Sequence, residues 1–224
     1  MSQQATSAIL LYTVVPILYE HYVNRYIYWN NEQAWENQRN VFEEFPNAVG
    51  AIDAFAVQIN RPQGPAQRLY YRRDRGYHFL NFHAIIDNEG FFQFVRGGFL
   101  GHATDADSFR RLPNIGYQQQ LHLPRDTYLL ANGGYPRQQS LLVPIRRPRG
   151  GRLNYMHRQA NIELDALRVY VEHRIGDGRI YSSIPGRSGR FRGRRHFVSV
   201  IVHVVLALVN RRRRLIRQIR ARFL

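Results

Sequence analysis

The sequence predicts a three-layer α/β or α+β domain, because strand-like runs come first and a long segment with helical spacing follows them. A hairpin signature lies among the strands, with two β-rich runs on either side of an Asp-Asn-Glu-Gly turn. We divide the 224 residues into a helical N-terminal segment over 1–45, a folded domain over 46–210 and a basic tail over 211–224. A chain of this length can bury one substantial core.

The order of the predicted elements follows from local spacing and from turn residues. Apolar side chains recur at helical spacing between Leu10 and Leu18, and Pro46 ends the N-terminal segment. Thr104 is placed to cap a short helix. The predicted strands lie at 49–59, 77–86, 91–95, 127–131 and 141–145, the short helix at 106–111, the long helix at 158–174, an Arg/Gly/Ser-rich loop at 186–195, and an apolar run from 197 that leads into arginines at 211–214.

The composition favours a polyanionic partner. The formal net charge is +16 and the isoelectric point is about 10.9, which indicates nucleic acid, with an acidic membrane surface as the weaker alternative. The absence of cysteine excludes disulfides, a thiolate zinc site and a cysteine nucleophile. No apolar run is long enough to span a membrane, and no basic region precedes an apolar stretch as in a signal peptide.

Arginine clusters predict a surface that binds phosphate. The basic side chains other than histidine are all arginines, which suit bidentate contacts with phosphate. Each cluster alone is typical of a solvated face, but four of them on so basic a chain favour nucleic acid. The tail over 211–222 is expected to contribute to nucleic-acid affinity or nuclear import. The predicted contact residues are Arg72, Arg73, Arg75, Arg146, Arg147, Arg192, Arg194, Arg195, Arg211, Arg212, Arg213 and Arg214.

Four polar residues beside apolar runs are candidates for a site. Asp53 lies within or at the end of an apolar strand, where an isolated carboxylate is costly to bury, and Asn132 follows the strand at 127–131. Glu172 lies in the long helix, and Asp105 lies in the turn before the short helix. Spacing alone also allows ordinary roles: a strand-end aspartate, an ion pair of Glu172 with Arg168, and capping by the aspartates of the short helix.

Other catalytic patterns are missing from the sequence. It contains no HExxH motif, no phosphate-binding glycine loop and no GxSxG elbow. The histidines, including His78 and His83, have no recognised metal spacing and are expected to be core or surface residues. The candidate chemistry is therefore that of the carboxylates.

Six segments taken together resemble the DDE-type transposase domain of the Harbinger family and its host-derived nuclease relatives. Their order and spacing carry the resemblance, which covers residues from about 45 to 210. The segments are FPNAVGAIDAFAVQINRP, YYRRDRGYHFLNFHAIIDNEG, GHATDADSFR, LLANGGYP, LRVYVEHRIG and LALVN.

The resemblance implies a ribonuclease-H-like fold and a triad of two aspartates and one glutamate that holds two Mg²⁺ or Mn²⁺ ions. The first aspartate matches Asp53 and the glutamate matches Glu172, whereas the second aspartate falls at Asn132. Asp105 matches a further acidic residue of the family. The Gly-Thr-His that follows the first aspartate in the family is Ala-Phe-Ala at residues 54–56. The departures therefore fall at the site, while the blocks of the scaffold remain.

The resemblance suggests a transposase-derived nuclease-like protein of the nucleus, with DNA and a Myb-like DNA-binding protein as expected partners. Its two-metal phosphodiester cleavage is expected to be impaired by Asn132, while nucleic-acid binding remains. One alternative is an active metal-dependent endonuclease in which Asp105 or a solvent ligand replaces the missing carboxylate. Another is a domesticated protein-interaction or DNA-binding module without catalysis.

Overall fold

A mixed six-stranded sheet forms the centre of the domain. In the computed structural model, which describes residues 9–178 and 195–223, its strand order is β2-β3-β1-β7-β8, and β4 pairs with β3. A separate two-stranded sheet contains β5 and β6. The strands are β1 Ala48–Gln58, β2 Tyr71–Arg72, β3 Tyr77–Asp87, β4 Phe92–Leu100, β5 Ile115–Gly116, β6 Leu121–His122, β7 Tyr128–Leu130 and β8 Leu141–Leu142. The predicted mixed α/β class is confirmed, and the arrangement is consistent with a ribonuclease-H-like domain.

Strand β1 is the centre of this sheet because it pairs on both sides. It pairs antiparallel with β3, from Gly50 opposite Asp87 to Gln58 opposite Phe79. On its other side it runs parallel to β7, with Ala51 opposite Leu130, and β7 runs parallel to β8. The predicted hairpin is confirmed as β3 and β4, which pair antiparallel.

Helices cover both faces of the sheet and give the domain three layers. The long helix α4, Tyr155–Gly178, and the closing helix α5, His196–Phe223, pack with β1 residues such as Phe55 in one core cluster. Trp35 and Phe109 belong to a second cluster on the opposite face. Near the N-terminus, four successive helical turns cover Leu10–Val14, Val15–Leu18, Tyr19–Val23 and Asn24–Tyr26, and we call them together α1. The remaining helical elements are α2 Glu32–Glu36, a 3-10 turn Pro65–Tyr70 and α3 Asp105–Phe109.

The ends of several elements differ from the predicted ones for local reasons. The strand predicted at 141–145 ends at Leu142, and Pro144, which has no N–H to donate, follows closely. The apolar run from 197 and the arginines after it form one continuous helix, α5. The predicted loop at 186–195 lies outside the described residues except for Arg195. In the part of the chain that the structure describes, no helix is long and apolar enough to cross a membrane.

Asn210 joins three elements in the interior. Its side chain is fully buried in α5. The Nδ2 group donates to the carbonyl of Phe92 at 2.8 Å and to that of Tyr26 at 2.5 Å, and Oδ1 accepts from the Phe92 N–H at 2.9 Å. The polar residue that ends the LALVN segment therefore holds α5 against β4 and α1.

Candidate active site

Asp53 lies inside β1 and not at a strand end. It faces the same side of the sheet as Ala51 and Phe55, which belong to the core beneath α4 and α5. Its side chain is 9% exposed. The fold therefore places a carboxylate within a largely apolar strand, at the border of the core.

Asn132 reaches Asp53 because β7 runs beside β1. Since Leu130 lies opposite Ala51 in the parallel ladder, a residue two positions further on is level with Asp53. The Asn132 Nδ2 group donates to Asp53 Oδ1 at 3.0 Å. Asn132 Oδ1 accepts from the Gly134 N–H at 2.7 Å. A rotated amide would place its NH₂ group against that N–H, so the two contacts together define the orientation of the amide.

Asp105 lies beside the same turn, at the first position of α3. The Asn81 amide donates to Asp105 Oδ1 at 3.2 Å. A Cβ atom added to Gly134 would lie 3.0 Å from Asp105 Oδ2 and 2.8 Å from Asn132 Oδ1, so the ends of both side chains lie close to this glycine. The predicted cap is confirmed, since Thr104 and Asp107 form a reciprocal capping box.

Glu172 lies on α4, which covers the face of the sheet that carries Asp53. Leu164 and Ile175 of the same helix are buried in the core on that face, whereas Glu172 is exposed. The side chain of Arg168, its expected ion-pair partner, lies outside what the structure describes. Within residues 9–178 and 195–223, no three His, Cys, Asp or Glu side chains are close enough together to hold a metal ion.

The donor set around Asp53 differs from that of a two-metal centre. Magnesium prefers anionic oxygen ligands, whereas Asn132 presents an N–H to Asp53 and its oxygen is taken by Gly134. Asp53 accepts from this amide, and Asp105 lies close to Gly134 of the same turn and accepts from Asn81. As arranged, these side chains do not fit two divalent ions held by three carboxylates.

A buried histidine, whose contacts the sequence did not reveal, connects the elements that carry the site. His83 is fully buried, with Nδ1 at 2.7 Å from the Tyr135 hydroxyl and Nε2 at 2.7 Å from Ser108 Oγ. Ser108 Oγ can donate to the carbonyl of Thr104 at 2.9 Å, which leaves it to accept from Nε2–H. Burial lowers the pKa of His83 to about 4, although the nearby Asp105 acts in the opposite direction.

His83 therefore holds together the two segments that carry Asp105 and Asn132. It links β3 to the helix that begins at Asp105 and to the turn that begins at Asn132. The prediction of a core or surface histidine is confirmed for His83 as a core residue. The sequence signal that was available is the alternation of Asn81, His83 and Ile85 along one face of β3.

The arginine cluster of residues 146 and 147 adjoins the site. Arg146 Nη2 donates to the carbonyl of Gly133 at 3.2 Å, in the turn that carries Asn132. Arg147 Nε donates to the carbonyl of Gly151 at 2.5 Å, and both arginines remain exposed. The exposed guanidinium group of Arg146 therefore lies beside the Asn132 turn.

The other predicted arginines differ in exposure and in contacts. Arg73, Arg75, Arg195, Arg211 and Arg212 are exposed. Of these, Arg75 lies 5.7 Å from the centre of the Phe79 ring, Arg195 lies 4.7 Å from that of Tyr70 and Arg211 lies 5.7 Å from that of Tyr22. Arg72 pairs with Asp74, Arg213 donates to the carbonyl of Glu89 and Arg214 donates to the hydroxyl of Tyr28. Arg192 and Arg194 lie outside the described residues.

Comparison with known proteins places the chain in a family. The sequence-family model of the DDE superfamily endonucleases matches residues 52–210. This stretch contains Asp53, Asp105, Asn132 and Glu172. No curated protein and no solved structure matches the chain. Because the family match covers well over half of the sequence, the chain belongs to the DDE superfamily endonucleases.

Proposed function

We propose that this protein is a transposase-derived, nuclease-like protein of the Harbinger type that binds DNA and has weak or no cleavage activity. DDE superfamily endonucleases generally depend on a divalent metal. The hydrogen bond from Asn132 Nδ2 to Asp53 Oδ1 carries the proposal, because an amide donor occupies the place of a second metal-binding carboxylate. Residence in the nucleus and targeting by a Myb-like partner belong to the same proposal.

Electrostatics support impaired metal binding. A carboxylate at residue 132 would attract a nearby cation by about 4 kcal/mol for each unit of ionic charge, at 4 Å and an effective dielectric constant of about 20. The neutral amide of Asn132 loses that attraction and directs the positive end of its N–H dipole toward Asp53. Metal affinity at Asp53 is therefore expected to fall by orders of magnitude relative to an aspartate at residue 132.

The charge distribution supports DNA binding without cleavage. The net charge of +16 attracts a polyanion, and Arg146 sits at the Asn132 turn. Arg73, Arg211 and Arg212 are exposed, so their guanidinium groups are accessible to phosphates. None of these contacts requires a metal ion, so binding survives a change at the site that removes cleavage.

A plasmid-nicking assay in Mg²⁺ or Mn²⁺ tests the proposal. We expect no nicking by the unmodified chain and metal-dependent nicking by Asn132→Asp, which should disappear when Asp53→Ala is added. Asn60→Asp adds the same charge at an exposed position beyond β1 and serves as the control. Robust nicking by the unmodified chain that Asp53→Ala abolishes would show that the proposed inactivity is wrong.

The proximity of Asp105 to the Asn132 turn favours one second candidate, an active endonuclease that uses Asp105 as the substitute ligand. In that case the unmodified chain would bind Mn²⁺ saturably, and Asp105→Asn would abolish that binding. Absence of saturable binding would exclude this candidate. Absence of salt-dependent binding to duplex DNA would instead favour a protein-interaction module.

A further inference from the structure

The end of helix α5 carries an apolar stripe that is open to solvent. Every residue from Leu215 to Phe223 is exposed. Four of them are large hydrophobic residues, and Ile219 and Phe223 are 56% and 84% exposed. The four lie within about 100° of one another around the helix, because they are spaced as i, i+1, i+4 and i+8. We call them the tail stripe: Leu215, Ile216, Ile219 and Phe223.

Contacts with the β3–β4 turn determine the direction in which the tail stripe faces. Arg213 donates to the Glu89 carbonyl, and Arg217 pairs with the Glu89 carboxylate. These two arginines are one turn apart and lie on the same side of the helix. Leu215 is two residues from each of them, or roughly 200° around the helix. The tail stripe therefore faces away from the domain.

The domain presents this end of α5 as a formed helix. The helix runs without a break from His196 to Phe223, and the buried Asn210 holds it against β4 and α1. Arg214 donates to the Tyr28 hydroxyl at 2.6 Å. The part beyond Asn210 extends for about 20 Å at 1.5 Å per residue. A partner would therefore meet a preorganised helix and would not have to order it.

The charges around the tail stripe select a negatively charged partner. Residues 211–224 contain seven arginines and no aspartate or glutamate. Arg220 and Arg222 follow Ile219 by one and three residues, which places them on the two flanks of the stripe. Two copies of the chain that met through this stripe would bring these arginines together, so repulsion disfavours self-association. The complementary partner carries negative charge beside an apolar layer.

The position of the stripe separates the partners that carry negative charge. Duplex DNA supplies phosphates but leaves the stripe in water. A protein groove that encloses a helix would have to displace the contacts of Arg213 and Arg217 with Glu89. An anionic bilayer approaches from one side only. It takes the apolar face of a helix at the boundary of headgroups and acyl chains, while arginines extend to the headgroups.

We propose that the end of α5 lies on the surface of an anionic lipid membrane. The tail stripe enters the boundary between headgroups and acyl chains, and Arg220 and Arg222 contact the lipid phosphates. This inference goes beyond the proposed DNA binding and does not rest on it, because exposed arginines such as Arg73 lie outside the tail stripe.

Co-sedimentation of the full chain with lipid vesicles tests the proposal. We expect vesicles with roughly 30% phosphatidylserine in phosphatidylcholine to bind the chain about a hundredfold more tightly than phosphatidylcholine alone. Leu215→Gln combined with Ile219→Gln keeps the charge and should weaken that binding about tenfold.

An exchange of neighbouring residues serves as the composition-matched variant. Gln218→Ile combined with Ile219→Gln keeps composition, charge and length, but moves one large side chain roughly 100° out of the tail stripe. We expect it to weaken vesicle binding severalfold. Gln218→Ala, off the stripe, is the control and should bind as the unmodified chain does. Thermal melting of each variant verifies that it is folded.

Three outcomes would overturn the proposal. The first is no binding to the phosphatidylserine vesicles, and the second is equal binding by the unmodified chain and both stripe variants, which would indicate adsorption by charge alone. The third is stripe-dependent binding to calcium-loaded calmodulin without vesicle binding, which would assign the helix to a protein groove. Duplex binding, measured on the same protein, is a separate result: its persistence without vesicle binding contradicts only the membrane inference, and its absence with vesicle binding contradicts only the proposed function.

Discussion

Replacing Asp87 with asparagine is expected to stabilise the protein at neutral pH and to lose most of that advantage in acid. Asp87 ends β3 with a side chain that is 3% exposed. Burial raises its pKa from 3.8 to about 6, although hydrogen bonds from the Phe91 N–H and the Gln93 amide oppose the shift. Because the folded pKa is the higher one, the stability linked to this group is fully present below pH 3.8 and is lost as the pH rises through 6.

The size of the effect follows from the two pKa values. A rise from 3.8 to about 6 corresponds to roughly 3 kcal/mol of unfolding free energy once the carboxyl is ionised in both states. Asparagine is close in size and cannot ionise; its oxygen can accept from the Phe91 N–H, and its NH₂ group can donate to Gln93 Oε1 once the Gln93 amide rotates. The unfolding free energy of Asp87→Asn should therefore exceed that of the unmodified protein by about 3 kcal/mol at pH 8. At pH 4.5 most folded molecules carry a protonated Asp87, and the same linkage relation predicts that the two proteins differ by only about 1 kcal/mol in unfolding free energy.

Urea unfolding, followed by the fluorescence of Trp29 and Trp35, measures this difference at several pH values between 4.5 and 8. Asp107→Asn is the matched control, because a hydrogen bond from the Thr104 side chain lowers the pKa of Asp107. That variant should be less stable than the unmodified protein by a deficit that stays nearly constant between pH 4.5 and 8, because the pKa of Asp107 is 3.8 in the unfolded chain and lower in the folded one. A difference for Asp87→Asn that stays constant across the range would refute the reasoning.

Three further changes have measurable expected outcomes. Burial lowers the pKa of His83 from 6.5 to about 4, so the stability linked to its neutral form is present above pH 6.5 and is lost as the pH falls through 4. In His83→Gln, the loss of unfolding free energy in acid should be smaller by roughly 3 kcal/mol. An unchanged pH profile in urea titrations would contradict this. Asn210→Leu removes three hydrogen bonds to buried backbone groups and should reduce the unfolding free energy by about 3 kcal/mol, whereas a loss below about 1 kcal/mol would argue against the role of Asn210. Replacing exposed Arg73 and Arg212 together with glutamine should reduce the salt slope of duplex binding by about 2 without changing the melting temperature, and an unchanged slope would exclude them from the interface.

Much of the scaffold was predictable because its signals are local. The Asp-Asn-Glu-Gly turn predicts the β3–β4 hairpin, where Gly90 adopts a φ of +80° that glycine accepts readily. The pattern around Thr104 predicts the capped helix that carries Asp105. In both cases neighbouring residues determine the conformation, so the sequence suffices.

The contacts of the site were less predictable because they depend on the sheet. The resemblance placed Asp53 and Asn132 in one site, but the direction of the Asn132 amide depends on the N–H of Gly134. The contacts of His83 with Ser108 and Tyr135 require β3, α3 and the Asn132 turn to be assembled. Sequence spacing carries no information on such contacts before the strand register is known.

The contact between Asp53 and Asn132 explains how a nuclease scaffold remains intact when its metal-binding charge is reduced. Two carboxylates at this separation would repel each other unless a cation lay between them, and one of them would have to stay protonated. Asn132 removes the repulsion and supplies a hydrogen bond of 3.0 Å in its place. The pair is therefore satisfied by protein groups alone, and the strands and arginines around it do not depend on a metal for their arrangement. Under the proposed function, selection on DNA binding would preserve the fold after selection on cleavage had ended.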